Sequence, residues 1–348
     1  MTPTLPLGPP IDWDHGRIEL SHGGGGRAMA QLVDELFVAA FDNPLLARRD
    51  DQAQFAVEAG RMAMTTDSYV ISPLVFPGGD IGSLAVHGTV NDLAMAGAEP
   101  LYLSAGFILE EGLPLDVLRR VVASMAAASR AAGVPVVTGD TKVVERGKGD
   151  GIFINTAGIG RIPPGIAIGG ERARPGDAIL VNGTIGDHGV AILSQREGLG
   201  FETTLKSDSA ALHRLVARML AATPGIACLR DPTRGGLATT LNELAAQSGV
   251  GMLLRETAIP IRPEVRAACD LLGLDPLYAA NEGKLVAICP AAHAGRLLAA
   301  MRADPLGRDA AIVGEVVEDP DRLVTMETAF GGRRTVDWLA GVQLPRIC

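Results

Sequence analysis

A break near the middle of the chain constrains the fold most. Pro163-Pro164-Gly165 opens a stretch that runs to Pro175-Gly176-Asp177. Proline fixes its own φ, lacks a backbone donor, and pushes the preceding residue out of the helical region. Neither a helix nor a central strand is expected to continue through such a segment. The 348 residues therefore divide into two parts of similar size, and this length suits two domains better than one. Apolar residues make up 47% and aromatics only 4%. Helices are thus expected to pack closely through Ala, Gly and Val.

Before the break, the pattern predicts a helix over 27–41 and a strand over 61–72 that ends in the loop Pro77-Gly78-Gly79-Asp80. A helix of small residues over 83–97 follows, then a strand over 101–109, a helix over 114–132 and a strand over 134–144. A tight turn at 147–150 leads into a strand over 151–161. Strand, helix and two hairpin-linked strands make an α+β pattern. After the break, strands are predicted over 177–182, 250–254, 284–289 and 311–316. Helices are predicted over 187–196, 209–221, 236–248, 263–272 and 293–302. The halves share an element mix without a visible sequence repeat. Trp338 is expected to dock the end of the second half before a tail departs.

The formal net charge of −9 argues against nucleic-acid or anionic-membrane partners. Polyphosphates stay possible if metal ions bridge the charges. No apolar run approaches a membrane span. The four cysteines show no C-x-x-C spacing, so a zinc or redox pair has little support. Cys228, Cys269 and Cys289 lie in apolar surroundings and read as small buried hydrophobes. Free thiols and the absence of a charged-then-apolar leader point to the cytoplasm.

Cys348 is different. It closes the tail Pro345-Arg346-Ile347-Cys348, and a thiolate is a strong, soft nucleophile. Arg346 favours the thiolate, while the terminal carboxylate opposes it. Residues 341–348, extended, span roughly 25 Å at about 3.3 Å per residue, enough to cross a domain cleft. A CaaX lipid anchor is excluded because no residue follows the cysteine.

Acidic residues recur beside turns and strand ends: Asp51, Asp67, Asp80, Asp92, Asp140 and Asp231. Magnesium takes one or two carboxylates plus substrate phosphates, so aspartates from separate loops could hold ions against a triphosphate. Each alone also serves as a cap or turn residue. Asp67 ends an apolar strand in Thr65-Thr66-Asp67-Ser68, and Asp92 sits in a small-residue helix where solubility does not explain it. The glycine run Gly23-Gly24-Gly25-Gly26 can bring backbone N–H groups to phosphate oxygens, or be a plain loop. No P-loop motif exists, and the G-x-G near Gly158 lacks its third glycine. His87 and Asn91 share one helix face. Lys142 could meet a phosphate or pair with Asp140. Glu282 in Asn281-Glu282-Gly283 reads as a general base or a turn cap.

Several of these runs resemble one family. They are Thr65-Thr66-Asp67-Ser68-Tyr69-Val70, His87-Gly88-Thr89-Val90-Asn91-Asp92-Leu93-Ala94-Met95, Val137-Thr138-Gly139-Asp140-Thr141-Lys142-Val143-Val144, Asp231-Pro232-Thr233-Arg234-Gly235-Gly236 and Asn281-Glu282-Gly283. With the closing Pro345-Arg346-Ile347-Cys348, they resemble the HypE hydrogenase maturation family over nearly the whole chain, from about Ile18. The aspartate motifs are shared with a wider superfamily that includes aminoimidazole ribonucleotide synthetase, selenophosphate synthetase and thiamine-phosphate kinase.

The resemblance implies an α+β, two-domain PurM-like fold. It divides the chain into an extension over 1–17, an ATP-binding and dimerisation domain over 18–165, a C-terminal domain over 166–338 and a tail over 339–348. It implies a homodimer paired through the N-terminal sheets, with ATP and Mg2+ in the cleft. Asp51, Asp67, Asp92, Asp140 and Asp231 become metal or phosphate ligands. Gly23–Gly26, Asp67, Asn91 and Asp140 become ATP contacts. Cys348 would be carbamoylated by a HypF-like carbamoyltransferase, and the amide would be dehydrated with ATP to a thiocyanate. The nitrile would pass to iron on a HypC–HypD pair as the cyanide ligand of a [NiFe] hydrogenase. Glu282, Lys142 and His87, in that order, are the candidate bases. A selenophosphate-synthetase-like enzyme is the enzymatic rival, but such a reaction needs a reactive residue in the glycine loop, and 21–27 holds no cysteine. A docking scaffold is the non-enzymatic rival, and it would have no need of the aspartate set.

Overall fold

The computed structural model describes residues 9–24, 26–48, 52–57, 59–196, 204–223, 225–339 and 347. Gly25, Asp51 and Cys348 lie outside the described residues.

The first half opens with α1 (Arg27–Leu32), which runs through a π-helical stretch, Val33–Val38, into α2 (Ala39–Phe41). Then come β1 (Arg61–Tyr69), β2 (Val75–Phe76), β3 (Gly79–Asp80), α3 (Ile81–Met95), β4 (Glu99–Glu110), α4 (Leu115–Ala132), β5 (Val136–Val144) and β6 (Ile152–Ile162). Four strands form one sheet in the order β1-β6-β4-β5, with β4 and β5 parallel and the other pairs antiparallel.

This order corrects the expected hairpin. The strands β5 and β6 follow one another in the chain, yet β4 lies between them. The long strand β4 pairs on both edges, so the turn after β5 must step over its end. Glu110, the last residue of β4, holds that step: its carboxylate accepts from the N–H groups of Gly147 (2.5 Å) and Gly151 (2.9 Å).

Helix α3 starts at Asp80, whose side chain accepts from the N–H groups of Gly82 and Ser83 at 2.9 Å, satisfying donors that a helix start leaves unpaired. It packs on β1, β6 and α4, and twelve of its fifteen residues are buried. Its small residues permit this enclosure.

The second half contains β7 (Asp177–Val181), α5 (Asp187–Arg196), α6 (His213–Ala222), β8 (Cys228–Arg230), α7 (Gly236–Ser248), β9 (Gly251–Arg255), α8 (Pro263–Leu272), β10 (Val286–Pro290), α9 (Ala291–Arg302), β11 (Ala311–Val317), β12 (Val324–Glu327) and β13 (Arg333–Thr335). Its sheet runs β13-β12-β9-β11-β7-β10-β8. The central strand β7 is buried on both faces. Ile179 and Val181 enter the core that includes α7, while Ala178 and Leu180 enter the core that includes α6 and α9, as a period of two requires. The predicted elements appear here, joined by the short strands β8, β12 and β13, which the sequence pattern does not mark. Trp338 is not docked: it is 47% exposed. The buried Val336 is the anchor, together with the Tyr278 hydroxyl, which donates to the Asp337 carbonyl at 2.9 Å.

The two halves interlock. Ile192, Ala280 and Ile347 join the first half's core, and Ala94 and Met95 at the end of α3 join a core of the second. The irregular stretch 204–212 crosses the junction, tied by Ser207 N–H to the Pro77 carbonyl at 2.7 Å. Among the described residues, no helix is long and apolar enough to cross a membrane.

Candidate active site

Four acidic side chains meet electrostatically at this junction. Strand alternation puts Thr65, Asp67 and Tyr69 of β1 on the side that faces α3. The Tyr69 hydroxyl donates to Asp67 Oδ2 at 2.9 Å, and the Thr65 hydroxyl donates to Asp92 Oδ2 at 2.7 Å. Gly88 makes the first bond possible. A Cβ there would sit 2.2 Å from the Tyr69 hydroxyl oxygen, so only glycine lets the ring cross α3.

The other two members come from the second half. Asp231 follows β8, and Glu282 lies in the turn before β10. Asn281 joins their two segments by donating to the carbonyls of Pro232 (2.9 Å) and Ala279 (3.0 Å). Asp208 fixes Glu282 by accepting its N–H at 3.0 Å, and pairs with the partly buried Lys284 at 3.2 Å. Gly236, at the head of α7, has φ +60° and faces the carbonyls of Leu277 and Ala279 at under 3 Å from where a Cβ would stand. The turn can therefore close this tightly only on glycine.

Burial and like charge push Asp92, Asp231 and Glu282 the same way. Burial raises the Asp92 pKa, with the negative charge of Asp67 adding to it and the Thr65 bond opposing. Burial, then Asp92, push Asp231 up to about 7. Glu282 lies well above the usual carboxylate range, through burial first and then Asp231, Asp208, Asp67 and Asp92. It is 3% exposed, and its Oε1 has no hydrogen-bond partner among the described residues. Such a group is costly to leave unsatisfied, and a carboxyl with a raised pKa in an enclosed site suits proton transfer near neutral pH.

Asp140 and Lys142 stand elsewhere, on the edge strand β5, three strands from β1 and so roughly 14 Å away across the sheet. They pair with each other at 2.8 Å and are both exposed. Gly23 lies against Val143 on the same strand, and Gly26 caps α1. Gly23 and Asp140 thus both belong to the β5 edge, away from Asp67, Asp92 and Asp231.

Two expected residues occupy supporting positions. Both Asn91 N–H donors are used, on the carbonyls of Ala210 (3.0 Å) and Glu282 (3.2 Å), and its oxygen accepts from Leu212 N–H at 2.7 Å. Asn91 is a strut between the halves. His87 contacts the Ser209 hydroxyl at 2.9 Å, and burial, then His213, bring its pKa down to about 4. That makes it a weak base at neutral pH. Tyr69, Thr65, Asp208 and His188 escaped sequence reasoning. Tyr69 and Thr65 flank Asp67 inside a quoted run, whereas Asp208 carries no local signature.

No three His, Cys, Asp or Glu side chains among the described residues converge closely enough to enclose a metal ion. The donor set still fits magnesium. Hard oxygens under mutual repulsion match an ion completed by phosphate and water, which is how magnesium usually binds, and not a preformed cage.

Family models match both halves: "AIR synthase related protein, N-terminal domain" over residues 49–162 and its C-terminal counterpart over 174–326. The carbamoyl dehydratase HypE of Azotobacter vinelandii is 69% identical over 338 residues, covering 97% of this chain and 99% of that one. A crystal structure of hydrogenase maturation protein HypE in complex with ATP matches with TM-score 0.92 and 55% identity, covering 94% of this chain and 99% of that one. A crystal structure of a HypE–HypF complex matches with TM-score 0.79 and 47% identity, covering 88% and 99%.

Proposed function

The chain belongs to the HypE carbamoyl dehydratases, within the AIR-synthase-related proteins, and from that premise we propose how its own residues serve the reaction. The protein is an ATP-dependent dehydratase of hydrogenase maturation. It converts an S-carbamoyl group on Cys348 to a thiocyanate, whose nitrile becomes the cyanide ligand of the active-site iron. A HypF-like carbamoyltransferase loads the thiol, and a HypC–HypD pair receives the nitrile. Two copies pair through the open face of the N-terminal sheet, where Met62 and Met64 are exposed.

The observation that carries this reading is the position of Ile347. This residue, one peptide bond from Cys348, is buried in the junction core, and its carbonyl accepts from His188 Nε2 at 2.9 Å. His188 Nδ1 meets the Ser207 hydroxyl at 2.7 Å, and the next residue, Asp208, accepts the N–H of Glu282. Ile347 is thus linked through His188 and the Ser207-Asp208 segment to the turn that holds Glu282, which supports a shared site. The other thiols are poor rivals. Cys228, Cys269 and Cys289 are buried, and burial pushes each pKa up to about 11, so little thiolate forms.

The amide oxygen of the carbamoyl group attacks the γ-phosphorus of ATP and ADP leaves. The C–O bond of the resulting phosphoimidate then breaks, releasing phosphate. The two N–H bonds supply the electron pairs of the C≡N bond as their protons depart. Direct loss of oxide would be far harder, since phosphate is the better leaving group. Glu282, whose Oε1 has no partner among the described residues, takes a proton from the amide nitrogen. Asp67, Asp92 and Asp231 would hold magnesium, which neutralises developing phosphate charge when bound. Asp140, Lys142 and the glycine loop contact the nucleotide from the sheet edge.

Intact-mass and peptide analysis after incubation with a HypF-like partner, carbamoyl phosphate and ATP tests the reading. The expected result is a carbamoyl group on Cys348 that loses water when ATP is added, and no modification in Cys348→Ala. Carbamoylation of Cys228, Cys269 or Cys289, or no ATP-dependent loss of water, would overturn it.

A further inference from the structure

His188 is fully buried at the start of α5, with the ring edge-on to Phe76 of the other half at 5.6 Å. Both of its ring nitrogens are engaged, and their roles can be deduced. The Ser207 hydroxyl oxygen accepts from Ser209 N–H at 3.1 Å. Its own proton is then free to point at His188 Nδ1, 2.7 Å away. A neutral imidazole that accepts at Nδ1 must carry its proton on Nε2. Nε2 is the atom 2.9 Å from the Ile347 carbonyl, which can only accept. Burial, the largest influence on this ring, favours the neutral form. The Ile347 side chain adds a second point of attachment in the junction core.

We propose that His188, set in its Nε2–H tautomer by Ser207, is a positioning residue that latches the Ile347 carbonyl and so holds the modified Cys348 in register with Glu282. The proposal rests on the dehydratase reading above. It assigns His188 no proton transfer. The peptide unit it grips is the one that leads directly to the reacting residue, so a rotation there swings the carbamoyl group. A misplacement of about 1 Å can cost roughly 100-fold in rate.

Two readouts test the latch. One is the rate of water loss from carbamoylated Cys348 after ATP addition. The other is the rate at which trypsin cuts after Arg346, which needs no catalysis. His188→Phe keeps a ring but no donor. It should slow water loss by roughly 100-fold and speed tryptic release of the Ile347-Cys348 dipeptide. His188→Gln, which can place an N–H near the lost Nε2, should recover most of both. Ser207→Ala, which leaves the tautomer undirected, should move both readouts the same way by less, and it decides the matter if His188→Phe does not fold. Parent-like cleavage and conversion in the folded variants would overturn the latch, as would Gln behaving like Phe. If the parent protein itself fails to lose water, the dehydratase reading fails, while the trypsin arm still decides the latch.

Discussion

Two acidic sites in this molecule, one at the junction and one on the sheet edge, are built on opposite principles. At the junction, Asp67, Asp92, Asp231 and Glu282 are partly or wholly buried, and burial with like charge raises the pKa values of Asp92, Asp231 and Glu282. On the sheet edge, Asp140 is exposed and already paired with Lys142. The first group is incomplete until positive charge arrives. The second is neutral as a pair and ready to exchange partners with a phosphate at little cost. In sequence, Asp67 and Asp140 look alike, each on a strand beside threonines. The difference comes from what the rest of the fold places over them.

The largest effect that would sharpen this contrast is at Glu282. Glu282→Gln keeps the size of the side chain and removes the basic oxygen. Conversion of the carbamoyl group should fall by about 100- to 10,000-fold, while the thiocarbamate accumulates because loading needs only the thiol. Conversion at the parent rate would make Glu282 a turn residue.

Asp92→Asn should come next. The amide can still accept the Thr65 hydroxyl, so the fold should hold. Magnesium-dependent ATP affinity should drop by roughly 10-fold or more, the scale of a lost hydrogen bond to a charged group. Calorimetric titration with and without magnesium reads this, and parent-like affinity would remove Asp92 from the site.

A change in pH dependence should be smaller. The Asp231 carboxyl has a folded pKa of about 7, raised from an ordinary value of 3.8. Its unfavourable ionisation is absent below about pH 4, grows as the pH rises, and is complete above about pH 7. Free of metal and nucleotide, the protein should lose melting temperature over that window, and Asp231→Asn should lose less. An identical pH profile in the two proteins would mean that the junction carboxyls do not repel as described.

The edge pair should matter least for stability. Lys142→Ala breaks an exposed ion pair and should cost no more than about 1 kcal/mol in denaturant unfolding. Its functional signature should be a weaker apparent affinity for ATP. A cost of several kcal/mol would show that the two regions are not so different.

Much of this was legible in the sequence where local pattern and local structure coincide. The small residues of 83–97 marked α3, and the acidic residues at 67, 92, 231 and 282 marked the cluster. The break at Pro163 marked the division. What the sequence could not convey depends on contacts between distant segments. Strands of three or four residues, such as β8 and β12, are too short for a period of two to be distinctive. The insertion of β4 between β5 and β6 rests on pairing along both edges of one strand. Trp338 drew attention by its size, yet Val336 does the docking. Asn91 sits beside Asp92 in a single motif, but the helix turns it towards 210–212 and the Glu282 carbonyl, where it is a strut. His188 and Asp208 became visible only when their partners at 347 and 282 were placed beside them.

Burial and like charge raise the pKa of the Asp231 carboxyl to about 7, so it should give up protons when magnesium and nucleotide bring positive charge to the junction. Counting protons exchanged on magnesium-ATP binding near pH 7, by calorimetry in buffers of different ionisation enthalpy, tests it most directly. The parent protein should release more protons than Asp231→Asn, which corrects for the nucleotide's own titration. Equal release by the two proteins, or net uptake by the parent, would contradict the claim.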